Sequence, residues 1–95
     1  MGEIILYEIL YDKRVLEDLR HIDDSVRKKI RIAIEQKLTS QPEIFGKPLR
    51  QSLVGFRVLR VGDYRIVFVI KGREVFVLLI GSRQCVYKEA QRHLV

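Results

Sequence analysis

Tryptophan is absent from this chain of 95 residues, cysteine occurs once and proline twice. The lone thiol, Cys85, excludes an internal disulfide framework and fits a reducing compartment. With no histidine near it in sequence, it reads as a small, partly buried filler rather than a nucleophile. Histidine is scarce as well. His21 and His93 read as surface or capping residues, and neither belongs to a cluster with metal-ligand spacing, so no metal or cofactor is expected. There is no glycine-rich phosphate loop. No apolar run approaches the roughly twenty residues that a membrane-spanning helix needs. The opening MGEIILYEILYDKR is acidic before it is basic and has no small-residue cleavage site, and Leu6 stands where a myristoylation signal carries Ser or Thr. A soluble, cytoplasmic protein is the expectation.

Acidic residues are scarce in one half only. Residues 46–95 hold three Asp/Glu against ten Lys/Arg, a balance of +7, whereas residues 1–45 hold nine against eight, a balance of −1. Two readings of that segregation stand: a polyanionic partner, most often nucleic acid, or plain solubility. Hydrophobic residues, at 47%, suffice for the core of one domain spanning residues 1–95.

Along the chain, EIILYEIL at 3–10 is short and rich in Ile, Leu and Tyr, as a strand is. Asp12 offers an N-cap, and Val15, Leu16, Leu19 and Ile22 recur at helical spacing, which predicts a first helix over 13–21. Asp23-Asp24-Ser25 starts a second, with Val26, Ile30, Ala33, Ile34 and Leu38 on one stripe and Arg27, Lys28, Arg31 and Glu35 outside. Thr39 to Gly46 reads as a connecting loop. The period then changes to β-rich runs at 56–61, 64–70 and 74–80, the last ended by Gly81, and 86–94 suits a short terminal helix. The turns between these runs are short, so they should be antiparallel neighbours. The expectation is an α+β fold of order βααβββα, its three-stranded antiparallel meander covered on one side by the helical hairpin and shielded on the other.

One turn concentrates the chemistry. In RVGDYR (60–65), Gly62-Asp63 predicts a type II′ hairpin, which sets Arg60 opposite Arg65. Two cations about 5 Å apart repel by about 1 kcal/mol in water and by about 3 at an effective dielectric near 20. A bound anion reverses that sign, because guanidinium groups grip phosphate through charge-assisted hydrogen bonds. Arg83 follows the last run, and Tyr87 comes one helical turn later. Either these four groups cradle a phosphate, or the arginines extend to solvent around Asp63 and Tyr87 is a core residue.

The stretches KPLRQSLVGFRVLRVGDYRIVF and VLLIGSRQCVYKEA resemble the RelE/ParE superfamily of toxins, whose recurring pattern is K-P-L-x-G, then R-L-R-V-G-D-Y-R, then G-H-R-x-x-V-Y. The resemblance covers essentially the whole chain, and its ending is similar to the RelE branch. It implies a RelE-like fold and a toxin of a type II toxin–antitoxin system: a metal-independent endoribonuclease that cuts mRNA in the ribosomal A site. The substrate's own 2′-hydroxyl is the nucleophile. By this resemblance Arg65 and Arg83 hold the scissile phosphate, Arg60 binds phosphate or stabilises charge, and Tyr87 stacks on a base or moves a proton. Lys47, Arg50, Arg57 and Lys88 are the further cations expected to bind RNA. Departures from the pattern are Ser82 for histidine, Val58 for a second basic residue (Arg57 is basic instead and by strand alternation points to the other face), Gln51 for glycine, and Gln84-Cys85 for a charged pair. The implied partners are the ribosome, mRNA and an acidic antitoxin; the toxin alone is expected to be monomeric and to form a hetero-oligomer with the antitoxin. Two other functions remain open: a non-enzymatic ParE-like inhibitor of DNA gyrase, and a weakened relative that only binds its antitoxin.

Overall fold

The computed structural model describes residues 6–95. Positions 3–5 of the strand expected over 3–10 lie outside the described residues. Within them the strand is β1, Glu8–Tyr11. Asp12 caps helix α1, Lys13–Arg20, by accepting a hydrogen bond from the Arg14 N–H at 2.9 Å. Helix α2, Asp24–Ala33, runs on into one wider π-helical turn, Ile34–Leu38. Ile30, Ile34 and Leu38 are all buried at spacings of four, so the apolar stripe read from sequence persists through that turn. The Arg27 guanidinium donates to the Leu19 carbonyl at 3.2 Å and ties the two helices together.

The segment expected to be a loop, Thr39 to Gly46, instead contains a four-residue helix α3, Pro42–Phe45, with proline at its first position, where a missing N–H costs nothing. Gly46 then passes against the ring of Phe68. A Cβ there would lie 2.2 Å from Phe68 Cζ. The chain enters the sheet at once as β2, Lys47–Pro48, then makes a short 3₁₀ turn, Gln51–Leu53, in which Gln51 adopts φ 57°.

Strands β3 (Arg57–Val61), β4 (Tyr64–Lys71) and β5 (Glu74–Ser82) form the expected meander. Gly81 does not end the third strand, which continues to Ser82. The sheet order is β1-β5-β4-β3-β2; β1 lies parallel to β5, and the other pairs are antiparallel. Between Val67/Phe68 the register slips: Val67 faces Leu79 and Phe68 faces Val77, leaving Leu78 as a bulge that raises the local twist.

Hydrophobic packing divides the sheet's two faces. On one, Val15, Ile30, Ile34 and Leu38 from the helices meet Leu59, Ile66, Phe68, Val75, Val77 and Ile80. On the other, Val86 and Ala90 of helix α4, Val86–Leu94, cover Val67, Leu79 and Leu53. Each fully buried side chain of this kind contributes roughly 1.5–3 kcal/mol, so the larger helical face carries most of the stability. The smaller face leaves part of the sheet open. Where β1 stops, Asp18 turns a carboxylate oxygen toward the Ile80 N–H, 3.5 Å away. Burial pushes the Asp18 carboxyl above its ordinary pKa, and nearby Glu89 adds to the rise against the pull of the Ile80 N–H, Arg14 and His21.

Candidate anion-binding site

Gly62 takes φ 58° while Asp63 stays outside the positive-φ region, the combination that a two-residue type II′ turn requires. The turn fixes the register Val61↔Tyr64 and Arg60↔Arg65. Directly opposed residues share a face, and alternation from Val58 and Val67 puts both arginines on the α4 side.

Their environments differ. Arg60 is exposed, whereas Arg65 is only 6% accessible. The Arg65 Nη1 donates to the carbonyls of Gly62 at 2.9 Å and Tyr64 at 2.8 Å. Two peptide oxygens thus take up part of the Arg65 charge, which offsets the repulsion from Arg60 and locks the turn. Among the described residues, no buried side-chain nitrogen or oxygen lacks a partner. The cationic pair is therefore tolerated in the free protein through backbone bonds.

Arg83 joins the same tip through its backbone. Its N–H donates to the Asp63 carbonyl at 2.8 Å, and its Nε lies 4.0 Å from Asp63 Oδ1. The Arg83 side chain is 61% exposed and that of Asp63 85%, so this ion pair is weak and easily exchanged for another anion. Helix α4 starts beside it, with Val86 packed over Gly81, the residue opposite Arg65; a Cβ on Gly81 would meet Val86 Cβ at 3.4 Å, an ordinary contact. Seating Val86 leaves the next residue, Tyr87, 38% exposed, so Tyr87 is not a core residue. A hydrogen bond from Gln91 to Ser52 ties α4 to the 3₁₀ turn.

Lys47 pairs with Val58 and so shares the face of Arg60 at the neighbouring edge. Arg50 and Lys88 are exposed, before the 3₁₀ turn and on α4. Arg57 is a correction. It lies on the opposite face, where its Nη1 donates to the carbonyls of Gly46 at 2.8 Å and Glu43 at 3.2 Å, so it staples α3 to the sheet rather than joining the other cations. Cys85 is another: it is exposed, not a partly buried filler. His93 is exposed and bonded to Glu89 within α4, and His21 ends α1. Sequence reasoning overlooked Asp63 as the joint that holds Arg83 to the hairpin; the one signal for it was its place in the turn. Among the described residues, no three His, Cys, Asp or Glu side chains are grouped to hold a metal ion. What the tip offers is concentrated positive charge with a single carboxylate inside it.

The family model described as ParE toxin of type II toxin–antitoxin system, parDE, matches residues 9–87. Toxin RelE of Mycobacterium tuberculosis is 27% identical over 84 residues, 86% of this chain and 87% of that protein. Toxin RelE3 of Methanocaldococcus jannaschii is 26% identical over 83 residues, 84% of this chain and 94% of that one. Among solved structures, the RelBE2 toxin–antitoxin complex of M. tuberculosis contains a chain that superposes with a TM-score of 0.79 at 24% identity, covering 87% of this chain and 98% of its own. The isolated RelE toxin of E. coli gives 0.66 at 23%, covering 94% and 99%. At these identities the superpositions speak for the fold.

Proposed function

The chain belongs to the ParE toxin family of type II toxin–antitoxin systems, and we propose that it acts in the cytoplasm as an mRNA interferase of the RelE kind. The observation that carries this reading is the hairpin tip, where Arg60 and Arg65 share one face and Arg83 is tethered by its N–H to the Asp63 carbonyl. A phosphodiester seated there receives charge-assisted bonds from Arg60 and Arg83, with Arg65 behind them, as its phosphorane gathers negative charge. Tyr87, exposed on the first turn of α4, stacks on a base or gives a proton to the leaving oxygen. Lys47, Arg50 and Lys88 follow the RNA backbone on either side. The RNA 2′-hydroxyl supplies the nucleophile, and the protein supplies orientation and charge.

Primer extension on mRNA from expressing cells tests the reading. The wild type is expected to cut messages in the ribosomal A site and to arrest translation. Arg83→Ala is expected to lose about 10- to 150-fold in rate, the equivalent of one charged hydrogen bond worth roughly 1.5–3 kcal/mol. Intact messages with full protein synthesis would remove the nuclease reading. A second reading, gyrase inhibition, is favoured by the ParE description of the matching family. It predicts uncut mRNA together with an SOS response.

The partner follows from the same face. M. tuberculosis RelBE2 is a toxin–antitoxin complex, as is RelB–RelE of Methanococcus jannaschii. For this chain we propose an acidic antitoxin that covers Arg60 and Arg83 at the tip and runs along the α4 face of the sheet to the half-buried Phe56, Val69, Phe76 and Leu78 at its other end. The complex should loosen with rising salt, and one held only through residues 1–45 would contradict the assignment.

A further inference from the structure

Transfer of a phosphoryl group from O5′ to O2′ needs an acceptor for the 2′-hydroxyl proton, and the cationic side chains at the tip cannot serve. Arginine is a donor only, and Lys47 and Lys88 are exposed, with no burial to strip the proton from their ammonium groups. Histidine is not at hand: His93 is bonded to Glu89 within α4, and His21 ends α1, a helix of the opposite face. The other carboxylates of the basic half are elsewhere. Glu89 is held by Arg92 and His93, and Glu74 opens β5 beyond the distant β4–β5 turn. Asp18, from the first half, is turned to the Ile80 N–H. Asp63 remains. Its side chain is 85% exposed at the tip, its Oδ1 lies 4.0 Å from Arg83 Nε, and its backbone carbonyl fixes the Arg83 N–H at 2.8 Å.

We propose that Asp63 is a catalytic residue that accepts the proton of the attacking 2′-hydroxyl; the inference rests on the nuclease reading above. A carboxylate inside an anion site weakens substrate binding by repulsion, so its presence asks for a role that binding does not supply. The distances provide one. A phosphate oxygen bound to the Arg83 guanidinium sits about 2.7–2.9 Å from it, which brings the adjoining ribose 2′-oxygen within reach of a carboxylate 4.0 Å from the same nitrogen. In the step, the O2′–H bond breaks and its proton passes to the Asp63 carboxylate. The O2′ electron pair forms a bond to phosphorus, and the P–O5′ bond breaks. The departing O5′ takes a proton from Tyr87 or water. The products are a 2′,3′-cyclic phosphate and a 5′-hydroxyl, and Asp63 returns its proton to solvent. The Asp63 carbonyl holds the Arg83 backbone N–H and its carboxylate meets the Arg83 guanidinium at 4.0 Å, so replacing the carboxylate leaves the backbone bonds of the hairpin in place.

Asp63→Asn keeps the size and turn preference of the residue and removes its charge together with its proton affinity. Single-turnover cleavage on mRNA-programmed ribosomes, with RNA binding measured in parallel, is the test. The expected result is a cleavage rate lowered by about 10²- to 10⁴-fold, binding equal or tighter, and part of the rate restored in Asp63→Glu. Asp63→Ser, another turn-compatible residue, should match Asp63→Asn, and Cys85→Ala should cut normally. If Asp63→Asn and Asp63→Ser cut within tenfold of wild type, or lose rate only in proportion to binding, the assignment to Asp63 is wrong and the nuclease reading survives. If Cys85→Ala abolishes cleavage, the acceptor is the thiol and the assignment is again wrong. If the wild type itself cuts nothing, both fall together, and that outcome is told apart by the wild-type lane alone.

Discussion

Neutralising Arg60 should make the free protein more stable while weakening its hold on RNA, a pairing of effects that few surface substitutions produce. Arg60 is exposed and directly opposes the buried Arg65 across β3 and β4. Directly opposed side chains start about 5 Å apart, and two charges at that spacing repel by about 1 kcal/mol in water and about 3 at an effective dielectric near 20. The exposure of Arg60 favours the lower figure, as does the bonding of Arg65 to the Gly62 and Tyr64 carbonyls. Arg60→Gln keeps most of the apolar stem and removes the charge. A gain of about 1 kcal/mol corresponds to a rise in Tm of about 4–8 °C for a domain of this size. The gain should shrink in 1 M salt, where the screening length falls to about 3 Å. RNA affinity should fall about 10- to 150-fold, the loss of one charged hydrogen bond worth roughly 1.5–3 kcal/mol. The salt slope of binding should become shallower by about 0.7, one phosphate contact fewer. Thermal melts at two ionic strengths and a salt titration of RNA binding measure all three. A variant that melts lower than wild type and binds RNA equally well would refute the idea that the pair is held apart for an anion.

Three further outcomes follow from other parts of the fold. Gly46→Ala drives a methyl to 2.2 Å from Phe68 Cζ and 2.9 Å from the Pro42 carbonyl, and should cost about 1–3 kcal/mol by overpacking, relieved in part by Phe68→Leu when the two are combined in a denaturation series. Gln51→Gly should stabilise by roughly 0.5–1 kcal/mol, because φ 57° costs a side-chain-bearing residue about 1–2 and glycine gives back about 0.5–1 in chain entropy; chemical denaturation reads it. For Asp18, burial raises the folded-state pKa above the unfolded value, so its contribution favours folding below the unfolded pKa and is lost as pH rises through the folded one. Asp18→Asn should therefore raise Tm at neutral pH, with the advantage shrinking toward zero as the pH falls below the ordinary aspartate range.

The helices and the meander were legible because each rests on local signals that agree. Asp12 caps where a cap was read, the Ile30–Ile34–Leu38 spacing survives a change of helix type, and Gly62-Asp63 dictates its own turn. What escaped were elements whose cause is tertiary. Two residues, Lys47 and Pro48, carry no β signal; they become a strand because the Arg57 guanidinium and the Phe68 ring hold the preceding Gly46 against the sheet. The helix Pro42–Phe45 is likewise too short to announce itself. Gly81 reads as a terminator, yet it pairs with Arg65 of the neighbouring strand and its own strand runs on through it to Ser82. At the tip, Arg60, Arg65 and Arg83 were found by residue type and spacing, but spacing cannot tell an arginine that faces solvent from one spent on carbonyls. For Arg57 strand alternation gives the other face, but not the Gly46 and Glu43 carbonyls that occupy it there.

The division of the sheet into two faces explains why such a site can be kept on so small a domain. The helical face holds the larger core, from Val15 to Ile80, and the backbone bonds of β3, β4 and β5 do not depend on the side chains of the exposed cations. Arg60, Arg83 and Tyr87 can therefore change with little effect on folding. Arg65 cannot, because one of its guanidinium nitrogens closes the turn that sets Arg60 opposite it and holds the Arg83 N–H. A series of alanine substitutions should then split into two groups. Arg60, Arg83 and Tyr87 should lose RNA cleavage at wild-type Tm or above, and Arg65 should lose cleavage together with Tm, since its removal leaves the Gly62 and Tyr64 carbonyls without a donor. Equal melting losses at all four positions would mean that the tip is a structural cluster and not a surface prepared for an anion.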